Sequence, residues 1–161
     1  MAEQQVQATT GEEDGEVSRV RRRGMRTGYT TGANATAAAT AATLALRTGQ
    51  PLETVTIHLP IGQDATFTLH RCEPTADGWT ASTIKDAGDD PDVTNGAEIV
   101  ATVRRCDELG VHLRGGVGVG TVTRPGLGLE VGGPAINPVP RQMLTEHVTA
   151  AAGCKLPPRV T

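Results

Sequence analysis

The stretch TTGANATAAATAATLALRTG, Thr30 to Gly49, decides how the rest of the chain has to fold. Alanine dominates Ala33–Thr48, and alanine is the best helix former. Thr30 or Thr31 supplies an N-cap, and Gly49 followed by Pro51 supplies a stop. Thr36, Thr40 and Thr43, at spacings of four and three, fall on one face of such a helix. A helix with so little side-chain bulk allows very close packing. It is either a core helix or a surface pressed against a ligand, and both readings stand at this level.

Working outward, Glu53–Leu59 and Ala65–Arg71 alternate like strands about a turn marked by Pro60, Gly62 and Asp64. Gly78–Lys85 and Ala97–Cys106 read as further strands, while Gly110–Arg114 and Val117–Thr123 are shorter and interrupted by glycine. Val139–Ala151 is a second helix candidate, and Gly153–Thr161, with Pro157 and Pro158, reads as a ragged end. These elements predict an α+β fold with a mixed or antiparallel sheet, an Ala-rich helix near the N-terminus and a second helix near the C-terminus. Residues 1–24, acidic and then basic, cannot bury enough apolar surface to order themselves and read as a disordered tail.

The 161 residues are room for one ordinary domain or half of a larger enzyme. Aromatic residues make up 2% of the chain, which argues against base stacking and hence against a nucleic-acid partner. A formal net charge of −3 leaves any anionic ligand to a local site. Three scattered cysteines fit no disulfide framework. No signal peptide or membrane-length apolar run is visible, so the expected location is the cytoplasm. The four histidines are dispersed and no CxxC or HExxH pattern occurs, so no protein-bound metal is expected.

Three segments carry more chemistry than turns require. Arg26–Gly32 (RTGYTTG) feeds hydroxyls and glycines into a helix start, where free N–H groups and partial positive charge favour carboxylate or phosphate; the plainer alternative is capping by Thr30 and Thr31. Lys85–Gly96 (KDAGDDPDVTNG) packs Asp86, Asp89, Asp90 and Asp92 into one loop. Such density ligates a hard cation, or supplies an acid or base whose pKa is raised by its neighbours, or merely builds Asx turns. Gly115–Arg141 offers Arg124, Asn137 and Arg141 among glycines and prolines, suited to clamping carboxylates. Its glycines do not open a helix, which speaks against a dinucleotide fingerprint.

In that order the three segments resemble the cobalt-precorrin-5B C(1)-methyltransferase family, of the CbiD type. The family's GYTTG is Gly28–Gly32, its KDAGDDPDVT loop is Lys85–Thr94, and its GVGTVTKPGL…PAINPVPR stretch is Gly118–Arg141, with Arg124 replacing the usual Lys. Asn34 stands where the family commonly has Cys. The resemblance implies methyl transfer from S-adenosylmethionine, as co-substrate, to C1 of the corrinoid precursor cobalt-precorrin-5B in anaerobic cobalamin biosynthesis. It implies no covalent nucleophile. Tyr29, Thr30, Thr31, Gly32, Asn34, Arg124, Asn137 and Arg141 are then expected around the substrate's carboxylates, with helix start and arginine strip sharing a single cavity. Asp86, Asp89 and Asp90 are expected to manage a proton or to hold the donor's amine or ribose; no other donor-binding residue is assigned. Family members run longer, so residues 25–161 are expected to be a truncated N-terminal part. The alternative is an inactive fragment, or a tetrapyrrole-binding remnant lacking the donor site.

Overall fold

The computed structural model describes residues 26–126, 128–153 and 158–160; the expected tail at 1–24 lies outside them. Helix α1 (Thr31–Thr48) begins where the Thr30 hydroxyl accepts the Ala33 N–H at 3.1 Å. It ends at Gly49, whose left-handed backbone (φ 71°) lets its N–H reach the Ala45 carbonyl. Ala37, Ala38, Ala39, Ala41, Ala42 and Ala45 are all fully buried, so the helix is apolar around its circumference and lies inside the fold. The Thr36, Thr40 and Thr43 hydroxyls donate to the carbonyls of Gly32, Thr36 and Ala39 at 2.7–2.8 Å. Each buried hydroxyl is thus satisfied within its own helix. Of the two readings of this segment, the fold realises the core helix.

Around α1 pack a hairpin, a sheet and a second helix. Strands β1 (Thr54–Leu59) and β2 (Gln63–Thr68) pair antiparallel, with Val55 opposite Phe67 and Ile57 opposite Ala65 forming the buried face. Strands β3 (Arg71–Pro74), β4 (Gly78–Ile84), β5 (Glu98–Arg105), β6 (His112–Leu113) and β7 (Pro158–Val160) form a five-stranded sheet in the order β3-β4-β5-β7-β6. Its pairs are antiparallel apart from β6 with β7, which makes the sheet mixed. Helix α2 (Pro138–Ala152) lies on α1 and buries Met143, Leu144, Val148 and Ala151. The α+β class therefore holds.

Three expected elements differ. The run Ala65–Arg71 is not one strand, because the chain changes sheets within it. Leu69 N–H bonds the Glu53 carbonyl beside β1, and His70 N–H bonds the Ser82 carbonyl on β4. Val117–Thr123 forms turns with a single bridge, Thr121 to Pro134; glycine at alternate positions, with Gly118 at φ 85°, breaks the ladder. The expected ragged end contains β7, which fills the slot between β5 and β6.

Candidate functional site

The first two motif segments form one joint. Tyr29 N–H donates to the Asp86 carbonyl at 2.7 Å, Asp89 N–H donates to the Arg26 carbonyl at 3.0 Å, and Thr27 bridges Gly88. Only glycine permits this approach: a Cβ on Gly28 would stand 1.9 Å from the Ala87 carbonyl carbon. The Arg26 guanidinium grips both oxygens of Asp86, at 2.5 and 2.9 Å. Beneath the joint lies Lys85, 3% exposed. Its ammonium donates to Thr31 Oγ1 at 2.9 Å, to Thr94 Oγ1 at 2.6 Å and to the Asp92 carboxylate. Three donors meet three acceptors, so the buried charge is fully satisfied.

These contacts decide the electrostatics of the Asp-rich loop. The Lys85 ammonium, and then the Thr94 hydroxyl and N–H, hold the Asp92 carboxyl down at about 2. Arg26, followed by the Gly88 N–H, lowers that of Asp86. Beside cation ligation and the Asx turns that Asp86 and Asp92 do form with the Gly88 and Thr94 N–H groups, one of the three readings of this loop is a pKa raised by crowded carboxylates. The loop does the reverse at Asp86 and Asp92, because each has a cation of its own, and both stay ionised at neutral pH. Asp86 is thus an acceptor there rather than a proton donor. Asp89 Oδ2 accepts the Arg26 N–H at 2.5 Å, and Asp90 is exposed.

At the start of α1 the candidate residues divide. Thr30 spends its hydroxyl on the cap. Thr31, exposed, accepts from Lys85, and Thr31 and Gly32 keep N–H groups that have no intrahelical acceptor. Tyr29 lays its ring against Phe67, with centroids 4.6 Å apart. Asn34 points inward: 1% exposed, it donates to the Thr30 carbonyl at 2.9 Å and accepts the Thr83 hydroxyl at 2.9 Å. Its amide is used up inside the fold, so the geometry makes it a brace between α1 and β4 rather than a ligand contact.

The third segment reaches the same end of the molecule through α2. A Cβ on Gly32 would come within 2.9 Å of Pro140 Cγ, so the two helix starts touch. Their surfaces nevertheless open on different hollows. One, about 30 Å³, is lined by Tyr29, Thr30, Ala33, the Leu59–Ile61 turn and Met143. The other, roughly 420 Å³, is lined by residues that include Arg114, Gly115, Glu130, Gly133 and Arg141. The expected single cavity is therefore two, with the Gly32–Pro140 contact at the join. Arg124 is exposed and lines neither hollow. Asn137 is the N-cap position of α2, exposed and without a side-chain cap bond. Two residues escaped the sequence reading. Lys85 was visible only as a neighbour of the aspartates, and Arg114 only as the last residue of a short strand.

Comparison with known proteins places the chain in a family. A family model described as CbiD matches residues 18–160. Proteins named cobalt-precorrin-5B C(1)-methyltransferase from Burkholderia cenocepacia and Salinispora tropica are each 59% identical to it, over 107 and 104 residues. Those matches take in 66% and 65% of this chain but 30% and 27% of the relatives, so the chain spans under a third of their length. The crystal structure of a cobalamin biosynthesis protein (cbiD) from Archaeoglobus fulgidus superposes with a TM-score of 0.60 at 28% identity, covering 84% of this chain and 43% of that one. No helix of the described residues is long and apolar enough to cross a membrane.

Proposed function

The chain belongs to the CbiD family, and from that premise we propose that it serves methyl transfer from S-adenosylmethionine to C1 of cobalt-precorrin-5B, in the cytoplasm, in anaerobic cobalamin biosynthesis. The observation that carries this reading is the gathering of all three motif segments at one end of the fold. Lys85 reaches Thr31, Gly28 sits on Ala87–Gly88, and Gly32 sits against Pro140.

The donor supplies its methyl as a sulfonium whose charge disperses as the new bond forms. Such a step gains most from positioning and exclusion of water and needs no covalent nucleophile. The chain's residues suit that demand. The free N–H groups of Thr31 and Gly32, with the Thr30 and Thr31 hydroxyls beside them, offer donors to a rim carboxylate. Arg124, Asn137 and Arg141 serve carboxylates further along the rim. In the Asp-rich loop, Asp86, held ionised by Arg26, suits the donor's amine or ribose better than proton transfer, while the neighbouring Asp89 and Asp90 manage a proton or hold the same amine or ribose.

The test is incubation of the chain with cobalt-precorrin-5B and S-adenosylmethionine, followed by mass analysis. A product heavier by one methyl is expected. Recovery of unmodified precursor, with an active relative methylating the same preparation, would defeat the proposal.

A further inference from the structure

We infer that the hollow between β6 and the start of α2 is a carboxylate clamp whose two cations are Arg114 and Arg141. The inference rests on the proposed methylation only for which carboxylate enters, not for the clamp itself.

Arg114 and Arg141 both line one cleft of roughly 420 Å³, within the size range of small-ligand sites. Neither has an ion-pair partner among the described residues. Arg141 makes one side-chain hydrogen bond, from Nη2 to the Pro134 carbonyl, and at 3.3 Å it is long. Its Nε is buried and has no partner. A buried donor left unmade is costly, more so on a charged group, and such an orphan calls for an acceptor the chain itself does not supply.

Arg141 stands on fixed backbone, and Arg114 directly follows a paired strand. Arg114 leaves β6, whose residues pair with β7. Arg141 sits in the first turns of α2, its N–H bonded to the Asn137 carbonyl at 3.0 Å and its carbonyl to the Thr145 hydroxyl at 2.9 Å. Pro138 and Pro140 have no N–H to offer, so the α2 start contributes few backbone donors and recognition falls to the two forks. Glu130 lines the same cleft without pairing to either arginine. Its charge leaves the lining with a net single positive charge, which suits one carboxylate better than a phosphate dianion. That carboxylate belongs either to the corrinoid rim or to the amino-acid end of the methyl donor.

The experiment follows the Nε–H resonances of the isotopically labelled chain. Propionate, a simple monocarboxylate, should shift the Arg114 and Arg141 signals saturably. Arg114→Gln and Arg141→Lys should each weaken it at least tenfold, while Arg104→Gln, on β5 and paired with Asp77 outside the cleft lining, should not. Cobyrinic acid, a corrin with free rim carboxylates, and S-adenosylhomocysteine then separate the two sources: whichever moves the same two signals names the occupant, and either supports the clamp. Propionate binding with neither compound bound keeps the clamp and removes the proposed methylation. Cobyrinic acid or S-adenosylhomocysteine binding with both signals unmoved does the opposite. Unshifted signals with all three, or tighter binding of inorganic phosphate than of propionate, overturn the inference.

Discussion

The buried ammonium of Lys85 donates a 2.9 Å hydrogen bond to the hydroxyl of Thr31, the first residue of α1, across 54 positions of sequence. With its bonds to Thr94 and Asp92, it ties the helix start to the Asp-rich loop. These bonds hold the N–H groups at Thr31 and Gly32, which lack intrahelical acceptors, beside the Asp-rich loop. Geometry of this kind is what a positioning enzyme requires.

Removing the two ends of this ion pair should have unequal effects. Asp92 is about a third exposed, and Lys85 is 3% exposed. Asp92→Ala strands a buried charge and is expected to cost about 3–5 kcal/mol. Lys85→Met keeps the apolar stem and leaves a carboxylate that water and Thr94 still solvate, so about 1–3 kcal/mol is expected. Urea unfolding of both variants reads the order directly. Equal losses would mean that Lys85 is hydrated after all.

Acid should find the same pair. The Asp92 carboxyl falls from its ordinary 3.8 to about 2 on folding, so the folded state holds this proton less tightly than the unfolded chain does. The resulting stabilisation is complete above about pH 4 and drains away as pH drops towards 2. Asp86 and Glu98, also lowered, push in the same direction. Thermal melts from pH 5 to 2 should therefore show a steeper fall for the wild-type chain than for Asp92→Asn. Parallel curves would take Asp92 out of the acid response.

What the sequence disclosed and what it withheld follow from the range of the interactions. Helix α1 was readable from Thr30 to Gly49 because propensity, cap and stop are local. So was the β1–β2 hairpin, whose alternation Val55-x-Ile57 and Ala65-x-Phe67 is a direct print of its buried face. The change of sheets at Leu69–His70 depends on acceptors at Glu53 and Ser82, and no local signal marks it. Pro158–Val160 is a strand because β5 and β6 leave a slot for it. At the candidate site, the three segments announced themselves by their residue types. The division of the helix start and the arginine strip between two hollows, the inward turn of Asn34 and the cleft position of Arg114 come from tertiary packing alone.

Asn34 should behave as a brace. Asn34→Ala leaves the Thr83 hydroxyl without its acceptor and is expected to cost about 1–3 kcal/mol, while carboxylate binding by the folded variant stays within twofold of wild type. Asn34→Cys places a thiol in the same buried position. Counted against the wild-type chain, the added thiol should resist labelling by a thiol reagent until the protein unfolds. Prompt labelling in the native state would show that position 34 faces the solvent and would return it to the ligand set.

Two glycines at the candidate site are constrained by different neighbours, and alanine separates them. At Gly28 the new Cβ would meet main chain, 1.9 Å from the Ala87 carbonyl carbon and 2.1 Å from the Gly88 nitrogen. Relief requires the joint to open, breaking the Tyr29–Asp86 and Asp89–Arg26 backbone bonds. Overpacking ordinarily costs about 1–3 kcal/mol, and a clash with backbone on both sides belongs above that range, so Gly28→Ala should lose more than about 3 kcal/mol. At Gly32 the atoms nearest the Cβ belong to the ring of Pro140, the first at 2.9 Å. There a small shift of α2 suffices, and replacing a helical glycine returns roughly 0.5–1 kcal/mol. Gly32→Ala should therefore stay within about 1 kcal/mol of wild type while widening the contact between the two helix starts. Its readout is binding: carboxylate affinity should change with little loss in urea stability. A Gly28→Ala chain as stable as wild type would show that the joint between the first two segments is looser than the contacts across it require.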